Sequence, residues 1–258
     1  MAYENQYQLA SMARYECLLF DVDDTLYPLS CGLSKQCSKN IEEYMVKKLG
    51  IEESRVPEVN RVLYKNYGTS MAGLKAIGYD FDNDDYHSFV HGRLPYENLK
   101  SDPVLRNLLL SLPIRKVIFS NADKSLNPTN ETCSFDDRSG LVSSAILDET
   151  INDCSVLPKS PILCKPFEDA FEQAFEIANI NRQKTLFFDD SIRNIQSGKS
   201  MGLHTVLVGT SHRTNGADYA LESIHNIREA FPELWDADKK SESIECSGKV
   251  AIETSVTA

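Results

Sequence analysis

No stretch of this 258-residue chain approaches the roughly 18 consecutive apolar residues that crossing a bilayer requires. Basic residues are scarce: 27 against 38 acidic ones, for a formal net charge of -11. So acidic a surface disfavours non-specific binding to nucleic acid or anionic membrane, although a local basic pocket stays compatible with it. Neither nucleic acid nor membrane is therefore expected as a partner. The first ten residues, M-A-Y-E-N-Q-Y-Q-L-A, lack the basic cluster and apolar core of a secretory signal. The seven cysteines contain no C-x-x-C spacing and, being odd in number, cannot all pair, which reads as reduced thiols. No internal repeat is visible. What remains is 41% hydrophobic and 25% charged residues, the balance of a soluble globular chain long enough for a sizeable core. The expected address is cytoplasmic, without ruling out the nucleus.

The first strong positive signal is C-L-L-F-D-V-D-D-T-L, residues 17–26. An apolar run that stops at clustered aspartates reads as a buried parallel strand delivering carboxylates to its C-terminal end. From residue 31 to 112 the periodicity is helical, with Pro103 suited to a first turn ahead of Leu105, Leu108, Leu109 and Leu112. Strands then resume at 116–120, 185–189 and 204–208. Pro166 is expected to open a helix with the face Phe167, Ala170, Phe171, Ala174, Phe175 and Ala178. Ser191 is expected to cap another helix that runs to Met201, and residues 219–231 to form a closing helix. Strands alternating with helices predict an α/β fold around a Rossmann-like parallel sheet. The expected domains are a core of residues 15–30 and 113–235, a helical cap of 31–112, and a disordered tail of 236–258.

Ligands of open parallel sheets bind beyond the carboxyl ends of the strands. Three expected strands end there in polar or acidic residues: Asp21 and Asp23, Ser120 and Asn121, Asp189 and Asp190. Converging carboxylates raise one another's pKa unless a cation joins them, and Mg²⁺ suits an all-oxygen set. Lys165 and Ser120, with backbone N–H groups, suit an anionic oxygen group. The pattern points to magnesium-assisted chemistry on a phosphate. The bland alternative makes these aspartates mere caps and turn residues; it suits one aspartate after one strand better than this ordered set.

D-V-D-D-T-L (21–26), V-I-F-S-N (117–121), K-P (165–166) and F-F-D-D-S-x-x-N (187–194) resemble the four ordered motifs of the haloacid dehalogenase (HAD) superfamily. The strings D-D-T-L-Y-P (23–28), Y-G-T-S-x-x-G-L (67–74), H-G-R-L-P-Y (91–96) with L-K-x-D (99–102), and F-S-N-A-D-K (119–124) resemble its pyrimidine 5′-nucleotidase branch. The resemblance implies a HAD core with a small all-helical cap inserted after the first strand. It implies Asp21 as nucleophile, forming an aspartyl-phosphate, and Asp23 as general acid and base. Lys165 would neutralise charge on the phosphoryl group, and Thr25, Ser120 and Asn121 would join it in binding the substrate. Mg²⁺ would be held by Asp21, the Asp23 main-chain carbonyl and Asp190. Asp189 and Asn194 would stand behind those ligands, with the reverse assignment of Asp189 and Asp190 left open. A carboxyl at position 23 favours phosphoester hydrolysis over dehalogenation, because an alkoxide needs a proton and a halide does not.

The implied substrate is a small phosphate ester, a nucleoside 5′-monophosphate in the first instance. Two rivals are a sugar-phosphate phosphatase and a catalytically weak or inactive binding or regulatory form of such an enzyme. After residue 124 the family pattern expects a helix and a strand that this sequence lacks, so a missing crossover is expected there. D-F-D-N-D-D (80–85) lacks the glycine and terminal glutamate of a calcium loop, and S-G-K-S (197–200) lacks the first glycine of a P-loop. His87 and His91 are expected to be exposed cap residues.

Overall fold

Cys17–Phe20 forms β1, and all four of its side chains are buried, as a central parallel strand covered on both faces requires. The structure is a computed structural model that describes residues 14–122 and 157–235. Among these, Arg115–Ile118 forms β2, Thr185–Asp189 β3, His204–Val208 β4 and Tyr219–Leu221 β5. The five strands make one sheet in the order β2-β1-β3-β4-β5, with every pairing parallel. An α/β fold with a parallel sheet is thus what the chain adopts.

Alternation of side chains along each strand builds two faces. On one, Leu18, Phe20, Leu186, Phe188, Val206 and Val208 pack with Leu105, Leu112, Ile227 and Phe231. Leu105 belongs to α5 (Pro103–Leu110), capped by Asp102, whose carboxylate accepts from the Leu105 N–H at 2.8 Å. Ile227 begins α8 (Ile227–Ala230). On the other face Phe119 and Phe187 meet with ring centroids 6.2 Å apart. Gly198 of α7 (Ile192–Ser200) comes so close there that an added Cβ would stand 2.7 Å from Phe187. Each fully buried phenylalanine contributes about 1.5–3 kcal/mol. β2 contrasts with β1: Arg115 is exposed and Lys116 half-buried, placing two cations on the strand that ends the described sheet.

Chain contacts define two units, each taken by itself. The sheet unit comprises, of the described residues, 14–28, 101–119 and 174–235. The helical unit comprises 29–100, 120–122 and 157–173. In the latter, α1 (Leu33–Lys47), α2 (Val56–Tyr67), α3 (Ser70–Ala76) and α4 (Asn83–Val90) enclose Tyr44, Met45, Val59, Leu63, Met71, Leu74 and Tyr86. Asn40, buried in α1, donates to the Val90 carbonyl at 2.7 Å, tying α1 to the end of α4. Among the described residues, no helix is long and apolar enough to cross a membrane.

Three expectations need correction. Residues 219–231 are not one helix. Tyr219, Ala220 and Leu221 extend along β4, and the Ser223 hydroxyl then caps a 3₁₀ turn, so α8 is confined to four residues. The helix after Pro166 is α6 (Glu168–Ile177), and Phe167 is 42% exposed in the turn before it. Ala170, Phe171, Ala174, Phe175 and Ala178 are buried as their spacing predicts. His87 is buried, with its Nδ1 3.0 Å from Nδ1 of His91, because the aromatic ring of Tyr86 packs edge-on against it. The expected missing crossover after residue 124 and the tail 236–258 lie outside the described residues.

Candidate functional site

Strand register brings the first aspartates together. Phe20 pairs with Phe188 across β1 and β3, and the Asp21 N–H continues the ladder by donating to the Phe188 carbonyl at 2.9 Å. Asp21 and Asp189 therefore leave the sheet side by side at its carboxyl edge. In the order β2-β1-β3-β4 the chain leaves β1 toward one side of the sheet and β3 toward the other, so the crevice between β1 and β3 is the topological switch point of the sheet. Asp190 follows directly. One carboxylate oxygen from each of Asp21, Asp189 and Asp190 lies within 4.8 Å of the others.

Hydrogen bonds divide labour among them. The Thr25 hydroxyl, buried, donates to Asp21 Oδ2 at 3.3 Å. Thr25 reaches back because the chain turns at once after β1: Asp24 takes a left-handed φ of 55°, and the Leu26 N–H donates to the Val22 carbonyl at 2.9 Å. Asp189 is fully buried and accepts from Asn194 Nδ2 at 3.0 and 3.1 Å and from the Ser191 N–H at 2.9 Å. Ser191 also caps α7, as expected, by accepting from the Asn194 N–H. Asp190 is exposed, and its carboxyl is pushed up to about 7, first by desolvation and then by the charges of Asp189, Asp21 and Asp24. Asp23 is exposed and stands outside the three-carboxylate cluster; its Oδ1 accepts a hydrogen bond from the Tyr27 hydroxyl.

Ser120, Asn121 and Lys165 fall in the helical unit. Asn121 grips the main chain of Lys165 on both sides: its Nδ2 donates to the Lys165 carbonyl at 3.1 Å, and its Oδ1 accepts from the Lys165 N–H at 2.9 Å. Lys165 is 1% exposed. Ser120 Oγ accepts from the Ala122 N–H at 3.1 Å. Of the residues named from the sequence, Asp21, Thr25, Asp189, Asp190 and Asn194 are joined within the sheet unit and Asn121 and Lys165 within the helical unit, while Asp23 bonds to Tyr27 and Ser120 to Ala122.

The three carboxylates fit a hard divalent cation. They are all-oxygen donors, two are buried, and the Asp190 carboxyl, raised by desolvation and then by its acidic neighbours, is held in a setting that a cation would relieve. Two features carry no role in the sequence reading. Tyr27 is four residues after Asp23, a spacing that could have flagged it. Gly68 lies against the backbone around Lys165, and only the string Y-G-T-S hinted at it. The acidic loop 80–85 behaves as a cap: Asp82 caps α4, and Asp85 accepts from Lys48 at 3.0 Å and from Tyr44 at 3.1 Å.

No family model matches the chain. It is 28% identical over 228 residues to phosphate metabolism protein 8 of Saccharomyces cerevisiae, covering 84% of this chain and 68% of that protein. Among solved structures it is similar to a HAD phosphatase from Thermococcus onnurineus, with a TM-score of 0.48 and 16% identity over 84% of this chain and 97% of that one. It is also similar to CbbY from Rhodobacter sphaeroides in complex with phosphate, with a TM-score of 0.46 and 18% identity over 83% and 96% of the two chains.

Proposed function

We propose that this chain is a Mg²⁺-dependent phosphomonoester hydrolase of the HAD superfamily, working through an aspartyl-phosphate. The observation that carries the reading is the cluster of Asp21, Asp189 and Asp190 at the switch point of a parallel sheet. Likeness to a yeast protein named for phosphate metabolism accords with it.

The Asp21 carboxylate attacks phosphorus, and the bond to the ester oxygen breaks as Asp23 gives that oxygen a proton. Asp23 then takes a proton from water, which cleaves the acyl phosphate and regenerates Asp21. Thr25 fixes the rotamer of Asp21 through its hydroxyl bond. Tyr27 fixes that of Asp23. Lys165 and Ser120 meet the negative charge of the phosphoryl oxygens, and Asn121 serves that group by holding the Lys165 peptide. Asp21, Asp190 and the Asp23 carbonyl would hold the ion, with Asp189 anchored by Asn194 behind them; the oxygens of Asp189 are already engaged, which favours Asp190 as the direct ligand. Bound Mg²⁺ supplies positive charge that offsets the carboxylates and the phosphate.

The substrate class is nucleoside 5′-monophosphates, the pyrimidine ones first, on the resemblance of the strings 67–74 and 91–102. The test measures phosphate release from a panel of pyrimidine nucleotides and hexose phosphates, with Mg²⁺ and with chelator, on the native chain and Asp21→Asn. Release that needs Mg²⁺ and Asp21, fastest on a pyrimidine nucleotide, is expected. Equal rates from the native chain and Asp21→Asn defeat the enzyme reading, and a preference for hexose phosphates defeats the substrate class.

A further inference from the structure

Within the helical unit the main chain around Lys165 is held from two directions. Asn121 takes its N–H and its carbonyl. From the other direction comes the turn that joins α2 to α3. The Cys164 thiol donates to the Tyr67 carbonyl at 3.1 Å, and the Thr69 hydroxyl lies 3.9 Å from the same sulfur. Between them sits Gly68, with φ 81° and ψ -40°. A Cβ built there would overlap the Lys165 carbonyl oxygen and stand 2.9 Å from Pro166 Cδ and 3.1 Å from Cys164 Sγ.

That collision is with backbone, which cannot swing aside as the end of a side chain can. Gly32 and Gly50 sharpen the point. Both also have positive φ, yet a Cβ at either meets nothing within 4 Å. At those positions glycine serves only the turn of the chain; at Gly68 it serves the turn and a close approach as well.

We infer that Gly68 is a positioning residue for Lys165: the α2–α3 turn seats the Lys165 peptide and so sets the direction in which its ammonium is delivered. The inference rests on the role proposed above for Lys165. The carbonyl that Gly68 touches is the one that accepts from Asn121, so a push on it disturbs the Asn121 bond and the exit of the lysine side chain together. A displacement of about 1 Å in a group that meets the reacting atoms can cost about 10²-fold in rate.

The test is a double-mutant cycle on the full chain with Mg²⁺ and p-nitrophenyl phosphate, each variant checked by thermal melting. Lys165→Ala is expected to lower kcat by about 10²- to 10³-fold, the usual loss for a group that stabilises developing charge. Gly68→Ala is expected to lower kcat about tenfold or more with KM changed less than about threefold. In the Lys165→Ala background the same glycine change is expected to alter kcat less than about twofold. A Gly68→Ala protein that melts cooperatively with native kcat overturns the inference, as does a loss that persists in full without the lysine. If Gly68→Ala does not fold, Cys164→Ala decides by the same criterion, since it removes the grip on Tyr67 without touching φ; its expected loss is about threefold, gone in the Lys165→Ala background. Native kcat in Lys165→Ala alone overturns the role of the lysine itself, an outcome distinct from the others.

Discussion

At the ends of β1 and β3, Asp21 and Asp189 are neighbours because a parallel register leaves them no alternative, whereas the Lys165 peptide is held by side-chain bonds and by a close approach at the α2–α3 turn. The carboxylates sit on strands whose side chains are almost wholly buried, so their positions are set by the core itself. The Lys165 peptide is set by one amide, one thiol and one missing side chain. The first arrangement tolerates change around it because many contacts fix the backbone. The second includes contacts, the Asn121 amide, the Cys164 thiol and Gly68, that a single substitution can remove.

The largest expected effect is on the carboxylate side. Asp21→Asn removes the nucleophile of the proposed mechanism while keeping its shape, and kcat should fall by about 10⁴-fold or more, the scale seen when a nucleophile is deleted. Because the change also takes one negative charge out of a crowded cluster, the melting temperature should hold or rise. A drop in melting temperature together with activity would mean that Asp21 is a structural residue. Next comes Asn194→Ala, which strips two hydrogen bonds from the fully buried Asp189 carboxylate. A buried charge losing its donors costs about 1–3 kcal/mol, to be read from the denaturant midpoint, and Mg²⁺ affinity should weaken with it.

The same contrast explains what the sequence made legible. The strand ends at Asp21 and Asp189 were readable because an apolar run stopping at acids is a local pattern, and a parallel sheet turns that pattern into proximity. The helix spacing at Leu105, Leu108 and Leu109 and the cap at Ser191 were equally local. β5 was misread because three residues pairing along β4 override a helix-like spacing that has no long-range term in it. His87 was misread because its burial depends on an aromatic cluster assembled from α1, α4 and the loop before α4. Gly68 could not be found by periodicity at all, since its meaning lies in a contact with residues about a hundred positions later.

A third prediction sharpens the electrostatic side. In the folded chain Asp190 keeps its proton to about pH 7, whereas an unperturbed aspartate loses it near pH 3.9. Between those values the folded state binds more protons than the unfolded one, so without metal this group lowers stability as pH rises. Solvent screening at a residue that is exposed as a whole keeps the effect to about 1 kcal/mol. Melting in chelator should therefore give a lower midpoint at pH 8 than at pH 5 from this source, and Asp190→Asn should flatten that slope. Mg²⁺ should raise the midpoint more at pH 8 than at pH 5, because protons and the cation compete for the same oxygens. Equal Mg²⁺ shifts at both values would separate the ion from this cluster.

The smallest expected effect concerns Tyr27, which joins the two styles of placement: it lies four residues beyond Asp23, at the end of the turn that follows β1, and its hydroxyl donates to the Asp23 carboxylate. Tyr27→Phe keeps the ring and removes only that bond. A neutral hydroxyl bound to a solvent-exposed carboxylate contributes about 0.5–1.5 kcal/mol, and each 1.4 kcal/mol is about tenfold in rate. The variant should thus lose about two- to twelvefold in kcat on an alkyl phosphate, whose leaving group needs the proton. On p-nitrophenyl phosphate, whose phenolate leaves readily unprotonated, the loss should shrink, because proton delivery to the ester oxygen matters less there. An equal loss on both esters would mean that Tyr27 shapes the turn after β1 rather than the direction of the Asp23 carboxyl.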